Sequence, residues 1–371
     1  MDGLRAIACL TVFLANFHNS MGMTVSGRVG PFDFATFAES GIGVLMLIVM
    51  SGGLLSLPFW RRLEGGREVS LRGFAIGRTV RIVPPYYACL VLFLVAMSAR
   101  PPVFDVLTFF LFVNNLFDRT FYAISPHFWT MGMFVQFYIG LPLLFAGCRL
   151  VTTRAWATVV LLGMVSVGAY LAHLGLMATR TTWMPALSLI EFDSSVLARS
   201  TLAHLPHFLL GVLGGYALTK WSAARPFRAP GRAADWVFWL SMAGLVFVAG
   251  APEAERWQLP YGRYVLPWMP VLAAVVMVAG PWSASGRRVL ELAPFRWLGT
   301  ISYGVYIYHM LCMQFVRRVL ESVGFESAEM KWAFAVLSLV LTIVVATSSY
   351  LALERPFLRW WRRYPAVAGN R

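Results

Sequence analysis

The sequence predicts an all-α, polytopic integral membrane protein of about ten transmembrane helices, with both termini in the cytoplasm. Three observations carry this. Of 371 residues, 58% are hydrophobic and only 13% charged, against about a quarter charged in soluble domains. The mean hydropathy is +0.67. Apolar stretches long enough to cross a bilayer, about 18 residues or more, recur along the whole chain.

Ten spans follow, near 4–20, 41–58, 83–97, 129–147, 155–175, 202–219, 235–250, 263–280, 298–317 and 331–353. The first is no cleavable signal peptide. It carries Asp2 and Arg5, lacks a small-residue cleavage site and is followed by further spans. One more apolar stretch, 103–116, is short and partly polar, and the distribution of charge decides whether it crosses. If it does not, the cytoplasmic side holds 21 of the 31 basic residues and 6 of the 17 acids, a balance of +15 inside and −1 outside. If it crosses, the basic loops after it fall outside, against the positive-inside rule. The stretch is therefore expected to lie in, or re-enter, the outer leaflet.

The net charge of +14 is thus a signal of topology and of contact with anionic lipids, not a nucleic-acid stripe. No linker or low-complexity tract divides the chain, so residues 1–371 read as one membrane domain with a short basic tail, 354–371. Cys9, Cys89, Cys148 and Cys312 are scattered and form no CxxC pair or disulfide framework.

In the first helix, Arg5 and Asn16 are eleven residues apart and share a face, with His18 two residues further on. A charged group at membrane depth costs about 2.5–3.5 kcal/mol on insertion scales, so such a stripe invites a functional reading. Its bland alternative is a snorkelling Arg and a His that ends a helix.

In the basic loop 60–87, Arg78 and Arg81 lie one helical turn apart just before Pro84, which is suited to open the third span at its first turn. Two guanidinium groups at a membrane mouth suit a polyphosphate such as a nucleotide or coenzyme A. Membrane anchoring explains them equally well. There is no Gly-rich P-loop, which argues against an ATPase.

The segment 127–144 opens the fourth span. It offers Trp129 and Tyr138 as interface anchors, and Gln136 as an amide that needs a partner inside an apolar run. In SYGVYIYHM, Tyr303, Tyr306 and His309 recur every three residues on one face of a span. His204 and His207 have no third ligand nearby, so they are read as structural, and no metal site is expected.

Taken in order, these segments resemble the integral-membrane acyltransferase 3 family, which contains bacterial O-antigen and other glycan O-acetylases. The matching pieces are DGLRAIA (2–8), MSGGLL (50–55), RTVRIVPPYY (78–87), FWTMGMFVQFY (128–138), HFLLGVLGGY (207–216), ISYGVYIYH (301–309) and LERPF (353–357). The resemblance departs at two places. Where the family carries a His implicated in catalysis, ten residues beyond the helix-1 Arg, this chain has Asn16. Where it carries Glu before the Gln, this chain has Phe134 and Val135. An amide can orient a hydroxyl or donate to an oxyanion but does not take a proton. Met1 stands at an interior position of the motif, so the natural start is expected upstream.

The resemblance implies transfer of a short acyl group, acetyl, from cytoplasmic acyl-CoA to a hydroxyl of a glycan or lipid-linked sugar, in the bacterial plasma membrane. Acyl-CoA would be a co-substrate, with no permanently bound cofactor. The expected catalytic set is Arg5, Asn16, His18 and His309, with Arg5 and Asn16 lining the path of the acyl chain. The expected binding set is Ser51, Arg78, Arg81, Tyr86, Trp129, Gln136, Tyr138, Tyr303 and Tyr306. The alternatives are a family member without catalysis that binds or translocates a lipid-linked sugar, and a secondary transporter.

Overall fold

The computed structural model describes residues 1–19, 22, 26–97, 100–183, 199–224, 232–251, 268–325 and 330–362. The helices are α1 (Asp2–Asn19), α2 (Phe34–Glu39), α3 (Ile42–Leu63), α4 (Leu71–Ala96), α5 (Val103–Phe110), α6 (Asp118–Phe121), α7 (Trp129–Val151), α8 (Ala155–Trp183) and α9 (Thr201–Ala224). They continue as α10 (Arg232–Gly250), α11 (Trp268–Ala279), α12 (Ala284–Leu290), α13 (Ala293–Thr300), α14 (Ser302–Ser322), α15 (Lys331–Ser349) and α16 (Arg355–Arg362). Strand structure among the described residues is one short hairpin, Arg28–Val29 with Phe32–Asp33.

Seven helical stretches are long and apolar enough to cross a membrane, or eight if the pair bent by 95° at Ser283 is one span. The helices α1 and α14, which carry the polar stripes, fall outside that set. The expected span 263–280 begins in residues outside those described, and α11 covers the rest. The stretch 103–116 breaks into the eight-residue α5 and a 3₁₀ turn at Asn114–Leu116. Eight helical residues rise about 12 Å, far short of a hydrocarbon core of about 30 Å. Tyr86 and Tyr87 of α4 cover the end of α5 by donating to the carbonyls of Phe109 (3.0 Å) and Phe110 (2.8 Å), at a helix end where carbonyls lose their intrahelical partners; the Phe109 carbonyl also accepts from the Phe112 N–H at 3.1 Å.

The centre of the fold is the packing of α3 on α9. Small residues let the two backbones touch. A Cβ on Gly211 would collide with the Val49 carbonyl, and one on Gly52 with that of Phe208. Trp60 closes the contact by donating its indole N–H to the Val212 carbonyl at 2.8 Å. Gly41 supplies the left-handed turn (φ 67°) from which α3 starts. One buried cluster, with Trp60, Tyr86, Phe93, Phe128 and Phe208, joins α3, α4, α7, α9 and α14. A second, with Leu4, Met46, Phe238 and Met277, joins α1, α3, α10 and α11. The Asp235 carboxylate ties α10 to the bend, accepting from the hydroxyls of Ser283 (2.6 Å) and Ser285 (2.8 Å).

One local expectation is corrected. Pro84 does not open a span. It lies with Pro85 in the middle of α4, which starts at Leu71 under a Ser70 cap that accepts from the Gly73 N–H at 3.0 Å. The prolines lack the N–H groups that continue a helical ladder. Two tyrosines of α14 bond carbonyls in this stretch, Tyr303 to Ile82 (2.8 Å) and Tyr308 to Pro85 (3.2 Å). Packing on α14 thus holds the helix through its proline pair.

Candidate functional site

Two cavities lie towards opposite ends of α1. The first, about 360 Å³, is lined by Arg5 from α1, Ser51 from α3, Arg78 and Arg81 from α4, Tyr138 from α7, and Tyr303 and Tyr306 from α14. Seven side chains expected from the sequence therefore meet in one place. Phe74, Met131 and Phe134 supply apolar wall, Phe134 at one of the positions where a Glu was expected. No carboxylate is among the described residues that line it. Arg5 leans on Asp2 at 3.5 Å. Arg78 stands 5.9 Å above the Phe74 ring, and its buried Nε has no hydrogen-bond partner among the described residues. Three guanidinium groups around a half-enclosed space give it a positive lining, and planar guanidinium donors are of a kind that match phosphate oxygens.

The second cavity, about 520 Å³, holds Asn16 and Asn19 of α1, Glu39, Tyr122, His127, Trp129, Arg199, Gln314 and Arg317. Arg199 donates to the Tyr122 hydroxyl at 2.7 Å and lies 5.2 Å above the Phe121 ring. Trp129 stacks on His204 at 5.3 Å. Flat aromatic surface beside amide, carboxylate and guanidinium groups gives both stacking and hydrogen bonds to a polar ligand.

Tyr306 lines both cavities. Its hydroxyl sits 2.5 Å from Thr130 Oγ1 and donates to the His127 carbonyl at 3.1 Å.

Arg5 and Asn16 line different cavities. They share a helical face, yet Arg5 lies on the first cavity and Asn16 on the second, where its amide also donates to the Val12 carbonyl at 3.0 Å. Eleven residues of helix separate them by about 16 Å. His18 lines neither cavity and lies 3.4 Å from Glu39. His309 also lines neither; its Nδ1 is 2.5 Å from the Tyr306 carbonyl, so it donates there. Tyr86 is core, bonded to α5. Gln136 donates to Asn115 (2.9 Å) and to the carbonyl of Phe112 (3.3 Å), and accepts from Thr201. It thereby fixes the α5–α6 segment to α7 and α9. Phe112 is held at φ 58°, an unusual backbone for a bulky residue. Among the described residues no group of three His, Cys, Asp or Glu could hold a metal.

His127, Glu39, Arg199 and Arg317 also line the second cavity and were not among the residues expected from the sequence. The signal for His127 was its place directly before FWTMGMFVQFY (128–138), one of the segments that carry the resemblance.

Fold and cavities together define a helical membrane protein with an arginine-lined pocket and a polar-aromatic pocket that share Tyr306. The family model described as an acyltransferase domain matches residues 1–351, and the chain belongs to the acyltransferase 3 family. It is 24% identical over 379 residues to the peptidoglycan O-acetyltransferase OatA of Listeria monocytogenes, covering 96% of this chain and 55% of that protein. It is 20% identical over 378 residues to the O-acetyltransferase OatA of Staphylococcus aureus, covering 96% and 56%. The chain thus spans little more than half the length of these relatives. No solved structure matches it at a significant level.

Proposed function

We propose that the protein is a membrane O-acetyltransferase that takes acetyl from acyl-CoA on the cytoplasmic side and passes it to a hydroxyl of a glycan or lipid-linked sugar on the other side of the plasma membrane. The observation that carries this is the pair of cavities meeting at Tyr306, the first rich in arginine and free of carboxylates among the described residues, the second polar and aromatic. The charge balance of +15 inside supports placing the arginine cavity on the cytoplasmic side. In this reading Arg78, Arg81 and Arg5 hold the donor's phosphates, and the thioester points along the apolar wall towards Tyr306. The acceptor lies against Trp129 and Tyr122.

Removing one guanidinium should weaken the donor's grip in both ground and transition states. Arg78→Ala and Arg81→Ala should therefore raise the acetyl-CoA KM more than they lower kcat. A charge-assisted hydrogen bond contributes about 1.5–3 kcal/mol, so KM should rise about tenfold or more. Wild-type CoA affinity in both variants would overturn the phosphate assignment. Asn16 at the place of the family's His favours a second reading, a non-catalytic member that binds or translocates a lipid-linked sugar. Mass spectrometry of surface glycans from a deletion strain separates the two. Loss of an acyl ester supports transfer, and intact esters with altered glycan export support the binder.

A further inference from the structure

We propose that a third cavity, between the end of α3 and the bend that follows α11, holds one phospholipid. Its phosphate lies between Arg61 and Arg287, and an acyl chain runs along a wall of leucines. The site rests on residues to which the proposed function gives no role.

The cavity measures about 360 Å³, within the range of about 300–1,000 Å³ that small-molecule sites span. Its wall is Leu4 of α1, Leu54 and Leu57 of α3, Leu218 of α9 and Leu290 of α12. No aromatic ring is among the described residues that line it. Such a wall suits a flexible hydrocarbon chain and offers a nucleotide base no flat face to stack on.

The charged side chains that line the cavity are Arg61, Arg287 and Glu291. Arg61 lies in the last turn of α3, and the 95° bend at Ser283 carries Arg287 to the same wall. Other charges nearby are matched, Arg62 with Glu68 and Lys220 with Glu64. Arg61 and Arg287 form no ion pair among the described residues, and the buried Nε of Arg287 has no hydrogen-bond partner among them. A buried donor without an acceptor is costly, and a phosphodiester supplies acceptors that guanidinium groups grip well. Glu291, four residues beyond Arg287, adds an exposed carboxylate. A headgroup with an ammonium beyond its phosphate meets all three charges, the phosphate on the arginines and the ammonium on Glu291. Phosphatidylethanolamine has this order of charge, and its ammonium keeps N–H donors that a choline lacks.

The placement agrees with a lipid. Arg61 and Arg287 belong to the basic loops that the charge balance puts on the cytoplasmic side, level with inner-leaflet headgroups. The rim is also rigid, because a Cβ on Gly3 would stand 2.3 Å from the Leu290 carbonyl oxygen. A preformed site of this kind binds without the cost of ordering its walls.

The test uses the full chain purified in detergent, palmitoyl-oleoyl phosphatidylethanolamine as the probe, and native mass spectrometry to count bound lipid. Wild type should retain one copy, held more tightly than phosphatidylcholine or phosphatidylglycerol with the same chains. Arg61→Gln combined with Arg287→Gln should weaken binding about tenfold or more, as expected when charge-assisted hydrogen bonds are removed. Leu57→Trp, which fills the wall and leaves both arginines, should also lose the lipid. Glu291→Gln should shrink the preference for phosphatidylethanolamine over phosphatidylglycerol. Wild-type affinity in the double arginine variant would overturn the proposal, as would several loosely held copies with no single tight one. Displacement of the lipid by inorganic phosphate or CoA alone would also overturn it, since the site would then read a phosphate group without its chain. A chain that transfers no acetyl leaves this result unaffected, so the two readings fail separately.

Discussion

The hydroxyl of Tyr306 lies 2.5 Å from Thr130 Oγ1, in a wall that belongs to both cavities. The pair ties α14 to the start of α7 between the arginine pocket and the polar-aromatic pocket.

Tyr306→Phe removes the hydroxyl and leaves a buried Thr130 with one partner fewer. The loss should be about 1–3 kcal/mol of stability, read as a lower Tm in detergent. Tyr306→Ala should join the cavities and admit water, so acetyl-CoA hydrolysis without acceptor should rise above wild type. Unchanged hydrolysis in that variant would mean the ring is no barrier.

Asn16→His returns an imidazole to the second cavity, where Asn16 and His127 both lie. An unperturbed imidazole has a pKa of about 6.5, suited to a base near neutrality. The variant should keep or increase transfer, measured as ester formed per unit protein in membranes. Less ester than wild type would show that an imidazole at this position does not serve the acceptor.

Gly211→Ala places a methyl group against the Val49 carbonyl at the α3–α9 contact. Forcing these backbones apart should cost about 1–3 kcal/mol, seen as a lower thermal midpoint. The same midpoint as wild type would mean that the close approach contributes nothing.

A reporter fused after Ala224 or after Gly286 should be cytoplasmic, and one near Glu255, outside the described residues, should be external. Finding 220–234 outside would require 103–116 to cross, which an eight-residue α5 does not do.

Much of this was legible because a membrane penalises idle polar groups. Arg5, Arg78, Arg81, Tyr138, Tyr303 and Tyr306 stood out in or beside apolar runs, Ser51 entered only through the family resemblance, and one cavity gathers all of them. Periodicity placed Arg5 and Asn16 on a common face but carried no information about the tyrosine wall that assigns them to different cavities. Pro84 read as a helix start because its local chemistry favours one, whereas contacts with α14, more than two hundred residues away, carry α4 through it. His127 was hidden for a similar reason. A His at a helix mouth is ordinary, and its tautomer depends on Ile307, 180 residues further on.

The central claim is that acetyl enters at the arginine cavity and leaves as an ester on the opposite side. Sealed inverted membrane vesicles, whose cytoplasmic face is outward, test it directly when acetyl-labelled acetyl-CoA is supplied outside. The account predicts base-labile label on acceptor inside the vesicles, strongly reduced with Arg78→Ala or Arg81→Ala. Label that stays on CoA, or forms ester only on the outer, cytoplasmic face, would contradict it.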